Sequence, residues 1–336
     1  MDKLRVAIIG GGSIAQVHLE ALAQSQYGQV VAVAEPDPET RTRWQGKGVR
    51  VEADFRALLW DKSIEVVDLC LPHFLHEPVA LEAFAAGKDV IVEKPAARRA
   101  SEADSMLAGA RVANRRLVVS HNQLFQPTHR RMKEMLQAGE IGRPFLGVLT
   151  VIGDELARMN DPDHWKGDEE RAGGGVMIDT GMHAVYLLQY LLGEVRAVTA
   201  VGRRLLVAPP SKGEDNAVVT LEFDEAIASI TVTYTATGHP WYERREIHGP
   251  AGALYSTEDP DSVLTLVTRQ GVEEVMRLPN TWRQSIAASL DNALEAIATG
   301  KEAFVSDEMV RQAMSTMDAV YRSMAEGRRV AVGAAA

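Results

Sequence analysis

The sequence predicts an α/β fold in which a parallel sheet covered by helices is followed by a second α/β domain built on a large, mostly antiparallel sheet. Three observations predict it. A short run of β-branched residues near the start meets three glycines and restarts at helical spacing. Strand and helix units of similar length then repeat to Ser120, and beyond His121 long strands of alternating polarity take over. The expected domains are 1–121 and 122–336.

The first unit sets the terms for the rest. Val6 to Ile9 is a buried strand, Gly10-Gly11-Gly12 a tight turn, and Ile14, Val17 and Ala21 the inner face of a helix. Each small residue has its own task. Gly10 permits the turn, Gly12 lets the backbone approach a pyrophosphate, and Ala15 keeps the helix close to its strand. Free amides around Ser13 and Ile14, at the positive end of the helix, would hold the phosphate oxygens.

A second strand, Gln29 to Ala34, ends at Glu35, about twenty residues after the glycines, where an acidic side chain accepts hydrogen bonds from an adenosine ribose. A carboxylate there repels a 2′-phosphate, so NAD is expected and NADP disfavoured. Glu35 also reads as a turn carboxylate before Pro36, and Arg41 and Arg43 stand close enough in sequence to weaken the preference.

The remaining elements follow in order. Val49 to Val51 forms a short strand and Glu52 to Trp60 a helix. The strand Glu65 to Leu71 ends at Pro72-His73-Phe74-Leu75-His76, and a helix from Glu77 to Ala86 is closed by Gly87. Next come the strand Asp89 to Val92, the triplet Glu93-Lys94-Pro95, a helix from Ser101 to Ala113 and the strand Leu117 to Ser120. Repeated units of this kind place ligands at the carboxyl ends of the strands. Later expectations are a helix around Thr128 to Ala138, a segment Pro144 to Gly153, a helix running through Leu192, a hairpin turning at Asp224-Glu225, and closing helices over Ser285 to Ala298 and Asp307 to Met324.

Composition narrows the function. With 336 residues, 46% hydrophobic and 24% charged, the chain is an ordinary globular protein with room for two cores. A formal net charge of -10 argues against nucleic acid or an anionic membrane as partner. The single cysteine, Cys70, lies in an apolar run and reads as a buried thiol in a reducing compartment. The first strand begins too early to leave room for a signal peptide, and no apolar run is long enough to span a bilayer, so the expected location is cytoplasmic.

Four places could carry chemistry. Lys94 follows a buried strand and precedes a proline, a position from which an ammonium can hydrogen-bond a substrate hydroxyl and take part in proton transfer. After Gly173-Gly174-Gly175, a helix places Asp179 and His183 four apart and on one face, with Val185, Leu188, Leu191 and Leu192 on the packed side. No further ligand stands at a metal-binding spacing, so no metal is expected. His73 and His76 sit at a strand end near the expected nicotinamide, and Trp165, just before the glycines, suits the wall of a polyol site or a core position. His18, His129, His239 and His248 read as structural or solvated.

Taken together, Gly10 to Ala15, Pro72 to His76, Ala86-Gly87-Lys88-Asp89-Val90 to Glu93-Lys94-Pro95, and Gly173 to Asp179 to His183 resemble the Gfo/Idh/MocA oxidoreductases, the glucose-fructose oxidoreductase and inositol dehydrogenase family. The ending, Tyr321-Arg322-Ser323 to Gly327-Arg328-Arg329-Val330, is similar to that family's as well. The resemblance implies a Rossmann domain joined to an open-faced α/β domain, and assembly as a homodimer or homotetramer. It also implies that Lys94 contacts substrate and nicotinamide, Asp179 orients the reacting group, and His183 is the acid or base. Pro72, His73, His76 and Glu93 would then border the cofactor and Asn122 the substrate. Two departures stand out. Asn122-Gln123-Leu124-Phe125 lacks the arginines common in the family after the last Rossmann strand, which disfavours an anionic substrate, and His73 replaces a small polar residue.

The reading is an NAD-dependent oxidoreductase acting on a secondary hydroxyl of a sugar, cyclitol or related polyol. Two rivals differ in kind: a glycoside-cleaving enzyme that uses bound NAD for transient oxidation and elimination, and a non-catalytic NAD-binding sensor.

Overall fold

The structure is a computed structural model and describes residues 2–161, 164–209, 211–258 and 260–333. The chain forms two compact units. The first holds the chain up to Ala97, with Ser101–Asn122 and Arg283–Val310; the second holds Arg98–Ala100, Gln123–Trp282 and the chain from Arg311 onward. The expected division at 121/122 falls beside the crossing from Asn122 to Gln123, but Arg283–Val310 returns to the first unit. The cause is apolar burial. Ile286, Leu290, Ala293 and Leu294 of the helix Trp282–Thr299 share a core with Val6, Val66, Ile91 and Val118.

Six parallel strands make the first sheet: β1 (Leu4–Ile9), β2 (Gly28–Ala34), β3 (Arg50–Glu52), β4 (Val66–Leu69), β5 (Asp89–Glu93) and β6 (Leu117–Ser120). Their order is 3-2-1-4-5-6, the doubly wound arrangement whose direction reverses between β1 and β4. β4 and β6 are buried throughout because helices cover both faces, which is why these strands read as continuous apolar runs. The helix expected over Glu52 to Trp60 is a single turn, Arg56–Leu59. Glu52 is drawn into β3 by pairing opposite Ala34, and Asp54 accepts the Arg56 N–H at 3.0 Å.

The second unit is built on nine strands: β7 (Leu146–Ile152), β8 (Ala197–Arg203), β9 (Asn216–Glu222), β10 (Ile227–Thr233), β11 (Tyr242–Gly249), β12 (Gly252–Thr257), β13 (Asp261–Thr268), β14 (Gly271–Pro279) and β15 (Val330–Ala331). They lie in the order 14-13-12-11-7-10-9-8-15. Neighbours are antiparallel except β7 and β10, which run parallel with Leu146 opposite Ile227. The hairpin at Asp224-Glu225 is present, closed by Phe223 N–H donating to the Ala226 carbonyl at 2.8 Å. Along β9, Ala217, Val219 and Leu221 are buried whereas Val218 is 54% exposed, so one face is packed and the other open. The helix Pro127–Gln137 packs against β12, β13 and the helix Met182–Leu192. No helix among the described residues is long and apolar enough to cross a membrane.

Candidate active site

The glycine turn divides its work as the chemistry requires. Gly10 has φ +97° and donates to the Ala34 carbonyl at 2.8 Å; a Cβ there would stand 2.3 Å from the Cys70 carbonyl oxygen. Gly11 is clamped: its N–H donates to Glu35 Oε2 at 2.7 Å, and its carbonyl accepts the indole N–H of fully buried Trp44 at 2.9 Å. Gly12 differs, because a Cβ on it would meet nothing within 4 Å. The helix Ser13–Leu22 then begins with no side chain capping its first N–H groups. Open space, uncapped amides and a positive helix end fit a pyrophosphate. Glu35 is fixed by accepting from Gly11 and, through Oε1, from Asp37 N–H at 2.9 Å, while Arg41 donates to the carbonyls of Glu35 and Pro36 at 2.8 and 2.5 Å.

At the ends of β4 and β5 the histidines separate by role. His76 is fully buried, with Nδ1 3.0 Å from the Pro95 carbonyl and Nε2 2.9 Å from the Leu71 carbonyl; burial lowers its pKa against the pull of these carbonyls. It therefore braces the turn that begins at Pro72 against the segment after Lys94. His73 is also buried, its ring centroid 5.7 Å from that of His76. Lys94 is half-buried and is joined to Pro95 by a cis peptide bond.

Behind them lies a buried polar cluster. His18 Nδ1 is 2.8 Å from Asp68 Oδ2, and His18 Nε2 is 3.1 Å from Glu93 Oε1. Burial opposes charge on His18, yet Asp68 and Cys70 outweigh it and hold the imidazole well above its ordinary pKa. Burial likewise pushes Glu93 up, but His18, Lys94 and Ser120 hold its carboxyl below the usual value. Cys70 Sγ is 3.4 Å from His18 Nδ1, and burial lifts the thiol to about 12. The donor atoms of His18, Asp68 and Cys70 lie within 4.8 Å of one another. His18 bridges Asp68 and Glu93, so the cluster braces Glu93 from behind. Farther along, Asn122 donates from Nδ2 to Ser285 Oγ at 3.0 Å.

In the second unit the three glycines are pinned from behind. A Cβ on Gly175 would lie 1.9 Å from the Glu214 carbonyl oxygen. The Glu214 carboxylate accepts from Gly175 N–H at 3.0 Å, Met177 N–H at 2.8 Å and the Tyr321 hydroxyl at 3.0 Å. Burial raises its pKa against the pull of these donors. The segment Met177–Gly181 that follows is a π-helical turn, not the α-helix expected from the sequence, and the α-helix proper is Met182–Leu192. A π turn is wider than an α turn, and Asp179 and His183 stand four residues apart across its junction with the α-helix. Gly181 makes room for it, since a Cβ there would meet Met177 Sδ at 2.4 Å.

Asp179 is 6% exposed. Its Oδ2 accepts from Lys166 Nζ at 2.6 Å and from the Tyr234 hydroxyl at 2.5 Å, and Tyr234 also meets the Thr180 hydroxyl. Trp165 joins this group through Lys166, whose Nζ lies 5.8 Å from the indole centroid. His183 Nδ1 is 2.6 Å from the Tyr186 hydroxyl oxygen, which also accepts Gln123 N–H at 3.3 Å. Sequence reasoning passed over Lys166, Tyr186, Tyr234 and Glu214. Lys166 adjoins Trp165 and Tyr186 stands one turn after His183, which were usable signals; Tyr234 and Glu214 gave none.

The cation missing from Asn122-Gln123-Leu124-Phe125 is partly restored by another strand. Arg245 of β11, 3% exposed, donates to Gln123 Oε1 at 3.2 Å. It is paired with Glu243 and stands 4.0 Å from Glu258, so its charge is balanced locally.

Two family models match the chain. Residues 4–121 match the family described as "Oxidoreductase family, NAD-binding Rossmann fold", and residues 129–255 match the "GFO/IDH/MocA C-terminal domain". The chain is 28% identical over 286 residues to a levoglucosan dehydrogenase of Pseudarthrobacter phenanthrenivorans, spanning 76% of this chain and 73% of that one. It is 24% identical over 336 residues to a myo-inositol 2-dehydrogenase of Thermotoga maritima, spanning 97% and 98%. Among solved structures, a levoglucosan dehydrogenase in complex with NADH and levoglucosan aligns with a TM-score of 0.89 at 26% identity, covering 99% of this chain and 100% of that one.

Proposed function

This chain belongs to the GFO/IDH/MocA family of oxidoreductases, and on that premise we propose that it is an NAD-dependent dehydrogenase interconverting a secondary hydroxyl and a ketone on a neutral sugar, cyclitol or related polyol. Bound NAD supplies the hydride acceptor. The amides of Ser13 and Ile14 beside Gly12 would hold its pyrophosphate and Glu35 its ribose. Pro72, His73, Glu93 and Lys94 border the nicotinamide half, with His76 acting through the carbonyls it braces.

The protein's own part is to orient an oxygen and move its proton. Lys94 donates a hydrogen bond to the reacting oxygen, Asp179 fixes the hydroxyl, and His183 takes the proton in oxidation and returns it in reduction. Asn122 and Trp165 are assigned to the substrate side. The observation that carries this reading is Asp179 held by Lys166 and Tyr234, with an imidazole, His183, on the same segment. Such a set offers donors, an acceptor and a base while its charges cancel, which suits an uncharged polyhydroxyl compound. The relatives named as levoglucosan and myo-inositol dehydrogenases act on substrates of that kind. A cytosolic setting is supported by the lone buried thiol, Cys70, and a homodimer or homotetramer by the family resemblance.

The test is a panel of sugars, anhydrosugars and cyclitols offered with NAD and NADP and followed by the absorbance of the reduced nicotinamide. Turnover with NAD that His183→Ala abolishes is expected. Cleavage of a glycoside with no net nicotinamide reduction would replace this reading with the oxidation-elimination one, and NADH binding without turnover on any member would leave a sensor.

A further inference from the structure

We propose that His18 is a positioning residue for this reaction: protonated on both ring nitrogens and bonded to Asp68 and Glu93 at once, it fixes the Glu93 side chain one residue before Lys94. The inference rests on the role given to Lys94 above. All of these residues belong to the first unit. His18 lies on the helix Ser13–Leu22, Asp68 within the otherwise apolar β4, and Glu93 at the end of β5. The side chains of His18 and Asp68 are fully buried. Nδ1 is 2.8 Å from Asp68 Oδ2 and Nε2 is 3.1 Å from Glu93 Oε1, while Asp68 Oδ1 has no hydrogen-bond partner among the described residues.

A buried carboxylate without a donor is strongly unfavourable, so Asp68 depends on Nδ1. Each of the two N···O contacts needs one proton between its atoms. A ring with a single proton would set a nitrogen lone pair against an oxygen lone pair at one of them, so the three groups share two protons. Placing both on the ring keeps both carboxylates as acceptors and makes both bonds charge-assisted. Burial opposes charge on either partner, yet Asp68 keeps the imidazole well above its ordinary pKa and His18 keeps Glu93 below its own. The other titratable groups here are Cys70, whose thiol burial lifts to about 12 and whose Sγ is 3.4 Å from Nδ1, and Lys94 and His121, which interact with Glu93. Glu93 is the last residue of β5, so the seat of its side chain sets where the chain leaves the sheet and where Lys94 begins.

Two experiments test this. In protein labelled with 15N at histidine, the His18 signals are identified by their shift in Cys70→Ala. Above pH 8, where an ordinary histidine of pKa about 6.5 is neutral, they should still be those of an imidazolium. A ring with one proton, bonded instead to a protonated carboxyl or to the Cys70 thiol, overturns the proposal, and this spectrum decides alone if the variants below do not fold. His18→Gln leaves Asp68 and Glu93 with no cation between them, so the two repel once both are charged. Its kcat should fall roughly 10- to 100-fold, and the deficit should grow as pH rises and shrink as pH falls, where a carboxyl takes up the missing proton. His18→Gln/Asp68→Asn restores the net charge of the cluster and should regain roughly tenfold in kcat over His18→Gln, whereas general loosening would make the double variant worse. A deficit that ignores pH, a double variant no better than the single one, or full kcat in a folded His18→Gln overturns the positioning role. If Lys94→Ala itself keeps turnover, the role of Lys94 fails first; if Lys94→Ala is dead and His18→Gln is unimpaired, only the present inference fails.

Discussion

Gly12→Ala separates binding from folding. Gly12 has φ -67° and ψ -170°, extended backbone that any residue adopts, and an added Cβ meets no protein atom within 4 Å. A Gly to Ala change at such a site leaves stability unchanged or raises it by about 0.4–1 kcal/mol through the unfolded chain. The methyl would, however, stand where the pyrophosphate must approach, an overpacked contact costing about 1–3 kcal/mol. NADH affinity should therefore fall roughly tenfold to a hundredfold. Gly10→Ala is the counterpart. Its φ of +97° penalises a side chain by about 1–2 kcal/mol, and displacing the Cys70 carbonyl, 2.3 Å from the new Cβ, adds about 1–3 kcal/mol more. That variant should lose stability outright. Urea unfolding followed by circular dichroism, with NADH titrations by fluorescence, reads both quantities. A folded Gly12→Ala protein that binds NADH as tightly as the native one would refute the placement of the cofactor, and one that unfolds would contradict the open space at Gly12.

Glu35→Gln removes the charge that a 2′-phosphate would meet and should raise the NADPH-to-NADH affinity ratio roughly tenfold; an unmoved ratio counts against Glu35 as the discriminator. Lys94→Ala should keep NADH affinity near native while kcat falls by about 10²–10⁴, and near-native turnover would place the chemistry elsewhere. His121, pushed by burial from 6.5 down to about 3, takes up in the unfolded chain a proton that the folded state excludes. Its contribution is therefore whole above the ordinary histidine pKa and is lost as pH falls through the acid range, about 2 kcal/mol by pH 5. His121→Gln should flatten the drop in urea midpoint between pH 7 and 5. An equally steep drop in the variant would show that His121 is not the group responsible, since His76 and His129, shifted the same way, remain in both proteins.

What could be read ahead of the structure follows from how local each signal is. The first sheet was legible because its central strands are apolar on both faces, and because Gly10, Gly12 and Glu35 stand at the ends of two successive, adjacent strands. The open sheet was legible because strands such as β9 alternate strictly. The π turn over Met177–Gly181 was not, because its hydrophobic spacing is that of an α-helix and only the seating of Met177 on Gly181 marks the difference. Lys166 and Tyr234 reach Asp179 from 13 residues before it and 55 after it, and Arg245 reaches Gln123 across 122 residues. Such partners are fixed by tertiary packing, and residue type alone does not select them.

The return of Trp282–Thr299 to the first unit bears on how the protein is made. The inner face of β1, β4, β5 and β6 is completed by Ile286, Leu290, Ala293 and Leu294, and Leu294 sits against Gly28, where a Cβ would be only 2.7 Å from it. On the ribosome those strands emerge long before their cover. At about 5–20 residues per second, the 160 residues of Gln123–Trp282 hold an apolar surface open to water for roughly 10–30 seconds. The nascent chain thus passes through an interval in which its cofactor-binding half is synthesised but unsealed, and chaperones that recognise exposed apolar strands have that interval in which to act.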